Sequence, residues 1–486
     1  MPKIQTKDHD WSIIFKNFFE GFSPTWWKNT LSELGNSGQA NAMTSVDILD
    51  PTYITQGKGL TALTNGTQAG AVIDLVKFIL DKAVTNDVSY ALSNTKLHQI
   101  SATTVLNSGG VFPHTITEAT RGESLALLGG YLFYFWQTSC GRYNLSSTFD
   151  DDYLTTVPTG AAALQDAPHP VAVKEDLMVF GNGRYLGYYD QSADTLYPTK
   201  LDFGNNNEVV DVLFHQNKWY IAVNTPNLTG SNRSQTQIFV WDGAAVSSLI
   251  EDELGVGAYR IGFIQVINGI IYVAYQDLTS SGFKIGYIAG TQIKELGAFT
   301  ATLPLFNQKT LYEHCLLFLS GSKIMVAGSV AEGILPFALS QISVTPYTTN
   351  IGGLGAPFGT PMVGSDNGSS YSLAQFSGFT VTANWTSLVH QIAQGKFIGC
   401  LDYIIVFTKT LGANARCDLT VKINQGTTSL TAKQITTTGK RRHYFPLVKN
   451  GIEDLLIYLD WANGSASNDC AIRRIELHGH FAEKAK

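Results

Sequence analysis

The sequence predicts an all-β chain: a β-propeller-like repeat array between an extended N-terminal arm and a C-terminal β-sandwich. Two observations carry the prediction. First, short apolar-aromatic runs recur: VSYALS (88–93), YLFYFW (131–136), LMVFG (177–181), WYIAV (219–223), IIYVAY (270–275), KIMVAG (323–328) and YSLAQF (371–376) start 42 to 53 residues apart. Most lead through a turn to a second run, such as TKLHQI (95–100), GRYLGYY (183–189), QIFVWDG (237–243) or FKIGYI (283–288). Strand, turn, strand and long connection, repeated at this period, is the pattern of propeller blades, whose inner strands line a crowded axis. Second, after about residue 380 the period gives way to longer strands, as a sandwich requires. Two sandwiches would also give evenly spaced short strands, but the long period favours a propeller of six or seven units.

The arm is assigned residues 1–66. Trp11, Ile14, Phe15, Phe18, Phe19 and Phe22 fall at helical spacing, with Asp10, Ser12, Lys16, Asn17 and Glu20 off the stripe. Ser23-Pro24 ends the stripe, because proline disfavours helical conformation in the residue before it, and Trp26 and Trp27 follow. So many aromatics require burial, either against this chain's own body or on a partner subunit. These eight residues are the candidate partner-binding set. Residues 34–66, punctuated by Gly, Asn, Thr and Pro, read as extended.

The propeller is assigned residues 67–380. Ala71–Lys82 fits both a helix and an alternating strand, and its position before VSYALS favours strand. The sandwich is assigned residues 381–481. Its strands are expected in FIGCLDYIIVFTKTL (397–411), CDLTVKINQG (417–426), KRRHYFPLV (440–448), DLLIYLDWAN (454–463) and CAIRRIELHGHF (470–481), with inward alternation at Leu419, Val421 and Ile423.

Composition narrows the function classes. Only 15% of the 486 residues are charged and the net charge is −6. Such a chain has no global attraction to nucleic acid or anionic lipid, and its charge-poor surface suits contact with other protein surfaces. The N-terminus lacks the continuous apolar core of a signal peptide, and no window reaches the length of a membrane span. The sequons at Asn65, Asn227 and Asn384 then read as chance, and synthesis in a cytoplasm is expected. Cys140, Cys315, Cys400, Cys417 and Cys470 are far apart, odd in number and without metal spacing, so buried free thiols are expected.

No stretch forms a convincing catalytic constellation, and no cofactor is implied. Asp150, Asp151 and Asp152 lack the flanking pattern of a calcium loop and read as a solvated turn. VGSDNGSSYS (363–372) nearly matches the Asp-box turn of sialidases, with Asp366, Gly368 and Tyr371 in place and Gly364 at the leading position. Such a turn is a stabilising device, since the Asp side chain bonds local N–H groups. His478 and His480 share a strand face, and structural roles are favoured over metal ligation for want of further ligands. GNGRYLG (181–187) opens a strand and therefore cradles no phosphate. Lys440, Arg441, Arg442, Arg473 and Arg474 read as rim salt-bridge or subunit-contact residues.

The arm GFSP…LGNSGQANAMTSVDILDPTYITQGKGLTALTNGTQ, the hairpin repeats and the terminal RRHYFPL…LLIYLDW…IRRIELHGHF together resemble virion structural proteins of tailed bacteriophages. The similarity is to propeller-bearing tail nozzle (tail tubular B-like) and minor tail proteins. Val46-Asp47-Ile48 and Gly59-Leu60 hold the positions of that family's N-V-D-I stretch and Gly-Leu turn, with Ser45 in place of its Asn. The resemblance implies a non-enzymatic virion protein that contacts other tail or connector subunits, forms a homo-oligomeric and usually six-fold ring, and touches packaged DNA passively. This chain is shorter than nozzle proteins of short-tailed phages, so tail-tip, connector and decoration positions stay open. The alternatives are a glycan-binding adhesin or a propeller glycosidase.

Overall fold

The computed structural model describes residues 10–16, 27–28 and 40–483, apart from 66–73, 226–236, 251–258, 329–339 and stretches of one to three residues. The chain divides into two compact units: residues 61–322 with 345–375, and residues 1–60 with 323–344 and 376–486.

The first unit is the propeller-like array. Among its described residues, seven antiparallel meanders begin with the inner strands Val76–Ile79, Gly122–Leu128, Val171–Lys174, Glu208–His215, Tyr259–Ile267, Lys309–Tyr312 and Asn350–Gly355. These meanders are blades one to seven. Each inner strand lies against the next blade, and Asn350–Gly355 lies against Val76–Ile79, so the series returns on itself. Glycines make that closure possible. A Cβ on Gly352 would sit 1.9 Å from the Val76 carbonyl oxygen, and one on Gly353 would sit 2.5 Å from that of Lys77.

The apolar runs singled out in the sequence are mostly the second strands of the blades, not the inner ones. The reason is geometric. A second strand is covered on both faces by neighbouring blades, so both of its alternating side-chain sets must be apolar. In Tyr131–Trp136, Leu132, Tyr134 and Trp136 pack in one core with Tyr90, Phe112 and Tyr143. Phe133 and Phe135 point the other way, into a second core with Met178, Phe180 and Tyr189. The unit's interior is thus a series of slices between blades. Val76, Ile79 and Ala91 share the slice that joins blade seven to blade one with Met362 and Leu373. The segment read as ambiguous, 71–82, contains the inner strand Val76–Ile79.

The second unit contains the sandwich. One sheet orders Asp10–Phe15, Ile472–Glu483, Phe397–Thr408 and Arg442–Ile452. The other includes Trp27–Lys28, Val389–Gln391, Asp454–Asp460, Asn384–Ser387, Ala40–Thr44 and Cys417–Ile423. The expected inward alternation holds, with Leu419, Val421 and Ile423 buried. A single core runs through the unit, centred on Trp385, Trp461, Ile404, Leu455 and Ile475.

The helical stripe in the arm is corrected. Residues 10–15 are a strand, paired in register from Asp10↔His480 to Phe15↔Ile475. The run WSIIF satisfies both a period of 3.6 and a period of 2, and an available sheet edge decides between them. Trp11, Ile13 and Phe15 therefore face the core, Ser12 is exposed and Ile14 is half-buried. The arm does not stand apart, because its strands complete both sandwich sheets. Its Val46-Asp47-Ile48 stretch is buried: Asp47 accepts the Leu49 N–H at 2.9 Å and pairs with Lys58 at 3.2 Å. The hairpin of Lys323–Ala327 and Ser340–Val344 packs here too, with Ser343 Oγ donating to the Lys58 carbonyl at 2.7 Å. All five cysteines are buried and free.

Candidate functional site

Three surfaces bring chemistry-bearing residues together: the propeller axis, a cleft on the propeller, and the outer face of the four-stranded sheet.

At the axis, a cavity of about 280 Å³ is lined by Asp211, Gln265 and Lys309 of inner strands and by Asp81 and Asn307 just beside them. Its acids stitch blades together. Asp211 accepts the N–H groups of Val212 at 2.9 Å and Ile264 at 2.8 Å, and the Lys309 ammonium bonds both the Asp211 carboxylate and the Ile264 carbonyl. Burial pushes the Asp211 carboxyl up, and Lys309 draws it part of the way back. Asp81 accepts the Thr310 hydroxyl at 2.6 Å and the Ala356 N–H at 3.1 Å, linking blade one to blades six and seven. Enclosure by protein pushes its carboxyl up to about 6, although its side is open to the cavity. Asn307 Nδ2 donates to the Lys77 carbonyl at 2.6 Å. None of these residues was singled out in the sequence. Asp211 left a signal, a charge at the centre of the apolar run EVVDVLFH, since a buried polar residue is the informative anomaly in a strand.

The cleft, of about 570 Å³, lies where blades six, seven and one meet. Here the Asp-box reading acquires its geometry. Asp366 Oδ1 accepts the Gly368 N–H at 2.9 Å and the Asn350 amide at 2.7 Å, while Gly368 takes a φ of 88° that favours glycine. Tyr371 follows the turn and lines the cleft. Opposite, Asp74 is fully engaged: Oδ1 accepts Leu75 N–H and the Asn94 amide, each at 2.9 Å, and Oδ2 accepts the Thr95 N–H at 3.1 Å. Lys77, Thr302, Ser322, Thr348 and Thr349 supply further polar lining.

On the sandwich, the outer face of the four-stranded sheet carries planar groups. Tyr403 stacks on His478 at 4.7 Å and leans on Tyr444 at 5.3 Å, and Arg474 covers Phe407 at 4.3 Å. His478 pairs with Glu476 at 3.2 Å and His480 with Asp402 at 3.0 Å, so each histidine has its own carboxylate partner. Arg474 bridges to Glu476 at 2.8 Å, the rim ion pair expected of the basic cluster. Arg442–Ile452 forms an edge of this sheet and exposes Tyr444 (57%) and Val448 (77%).

The candidate partner-binding residues separate. Trp11 and Phe15 are buried in the sandwich core: Trp11 Nε1 donates to the His480 carbonyl at 3.1 Å, and Phe15 meets Trp385 edge-on at 6.3 Å and His390 at 5.0 Å. Neither is free to dock on a neighbour. Ile14 faces outward on the same strand, and Trp27 lies in the strand Trp27–Lys28, which pairs in parallel with Val389–Gln391. Phe18, Phe19, Phe22 and Trp26 lie outside the described residues. The acidic triplet is a structural node: Asp151 accepts Tyr134 OH at 2.7 Å and bonds His114 Nε2 at 2.8 Å, and Asp152 accepts Ser139 Oγ at 2.7 Å. Among the described residues no group of three His, Cys, Asp or Glu is placed to hold a metal ion, and no helix is long and apolar enough to cross a membrane.

No protein-family model and no curated protein matches the chain. Solved structures are similar at a distance. An extracellular domain assigned to a one-component system of B. thetaiotaomicron matches at 12% identity and a TM-score of 0.48, over 80% of this chain and 47% of that one. PorZ, a surface component of the type-IX secretion system of Porphyromonas gingivalis, matches at 11% identity and a TM-score of 0.40, over 80% and 46%. An exo-β-1,3-galactanase of Phanerochaete chrysosporium matches at 12% identity and a TM-score of 0.30, over 66% and 97%. The chain thus spans about half the length of the first two.

Proposed function

We propose that this chain is a structural protein of a tailed-bacteriophage virion, a nozzle or tail-associated component that works by assembly and not by turnover. The sequence resemblance supplies the virion context. The observation that carries the assembly role is the edge strand Arg442–Ile452, with Tyr444 and Val448 exposed along it. The outer face of this strand presents Tyr444 and Val448 as an exposed apolar surface, of the kind that contacts another protein surface. Its occupant in this reading is a second copy of the chain, repeated around a ring that is made in the host cytoplasm and joins other tail or connector subunits. The mildly negative charge of −6 suits a wall past which packaged DNA slides without sticking.

Sedimentation of the purified chain over a range of concentrations tests the role. The unaltered chain is expected to form one closed oligomer, and Tyr444→Lys with Val448→Lys to remain monomeric with an unchanged melting temperature. A chain that stays monomeric without the substitutions, or assembles equally well with them, removes the proposal.

A further inference from the structure

We propose that the propeller cleft at Asp366 and Tyr371 binds a neutral oligosaccharide, an activity separate from assembly. Its volume of about 570 Å³ lies within the ~300–1,000 Å³ usual for small-ligand pockets. Its lining has the composition that a polyhydroxylated ligand needs. Sugar hydroxyls are donors and acceptors at once, so a sugar site combines hydroxyl, amide and carboxylate groups beside a ring face.

The engaged and available groups can be told apart. Asp74 has both oxygens occupied by Leu75, Asn94 and Thr95, so it fixes the cleft wall. Asp366 bonds Gly368 and Asn350 through Oδ1 alone. Among the described residues its Oδ2 carries no hydrogen bond, and Lys77, whose charge also acts on Glu123, lines the same cleft. Thr348, Thr349 and Asn350 are exposed, and Tyr371 is half-buried in the same lining. Asp366, Lys77, Thr348, Thr349 and Tyr371 therefore line one volume.

Charge selects within the sugars. Asp74 and Asp366 outnumber Lys77, leaving a local excess of negative charge that disfavours sialylated or sulfated ligands. The Asp-box turn acquires a second consequence here. By holding Asp366 Oδ1, it aims the other carboxylate oxygen without further ordering cost, the advantage of a preorganised site.

The test is a glycan array probed with the full chain, followed by calorimetry on the best neutral ligand. Thr349→Trp fills the cleft from an exposed position, and Tyr371→Leu removes the ring while keeping apolar packing. Each is expected to weaken binding by about tenfold or more with the melting temperature unchanged, while Val448→Lys on the sandwich leaves it intact. The inference is overturned if no glycan binds, if only acidic glycans bind, or if binding survives Thr349→Trp. Since assembly is read by sedimentation and sugar binding by calorimetry, each proposal can fail without the other.

Discussion

The propeller and the sandwich solve the burial problem in opposite ways. The propeller divides its interior into slices, each shared by two blades that are consecutive in sequence, apart from the slice that closes the ring. The sandwich has one continuous core, assembled from the two ends of the chain. The bond from Trp11 Nε1 to the His480 carbonyl spans 469 positions. Local meanders make repeats, while distant strand pairing makes a core that depends on every contributor. Polar groups follow the same division. The propeller uses buried Asp211, Asn224 and His169 to bond neighbouring blades, and the sandwich uses buried Gln56 and Ser387 to bond segments distant in sequence.

Phe15→Ala should separate the two units most clearly. Truncating a fully buried phenylalanine costs about 3–5 kcal/mol, and the loss is expected in the sandwich. Hydrogen exchange should speed up along Ile472–Glu483 and stay slow along Tyr131–Trp136. Equal loss in both would contradict the division.

Next is the axial ion pair. Lys309→Met leaves the buried Asp211 carboxylate without its cation, which is expected to destabilise the propeller by about 3 kcal/mol in urea melts. Adding Asp211→Leu should recover most of that loss, because an apolar replacement of both partners removes the uncompensated charge. A double variant no better than the single would show that Asp211 acts through its N–H bonds to Val212 and Ile264 alone.

These cases also show what could be read from the sequence. The repeat period, the sandwich strands and the Asp-box turn were legible because each depends on residues close together in the chain. The identity of the inner strands was not, because burial on two faces makes a second strand look more core-like than an axial one. Nor was the fate of Trp11 and Phe15, since WSIIF is equally good helix and strand until a distant edge is offered. The cleft was legible only at Asp366, Gly368 and Tyr371, because Asp74, Lys77 and Thr349 reach it only once the ring closes.

Stability measured across a pH series tests the buried polar groups of the propeller. His98 is buried between Asn107 and Ser93, at 3.3 and 3.2 Å, and burial holds its imidazole down at about 4 despite the Asn107 bond. The unfolded value is near 6.5, so its contribution is complete above pH 6.5 and is lost as pH falls towards 4. Asp81 and Glu123, pushed up to about 6, act in the opposite direction. The informative quantity is therefore the difference from His98→Gln. The stability advantage of the unaltered chain should shrink by an amount on the order of 3 kcal/mol between pH 7 and pH 4. A constant difference would mean that His98 does not titrate on unfolding.

The smallest expected effect on stability is at the sandwich edge. Val448→Lys should change folding free energy by no more than about 0.5 kcal/mol, as for surface sites generally. In the proposed assembly its consequence is for association.

That edge also decides the proposed assembly role. Negative-stain images of the purified full chain are expected to show closed rings, with neighbouring subunits meeting along Arg442–Ile452. A cross-link through a cysteine placed at Val448 should join adjacent copies. Isolated particles at every concentration, or rings whose contacts lie away from that strand, would contradict the account.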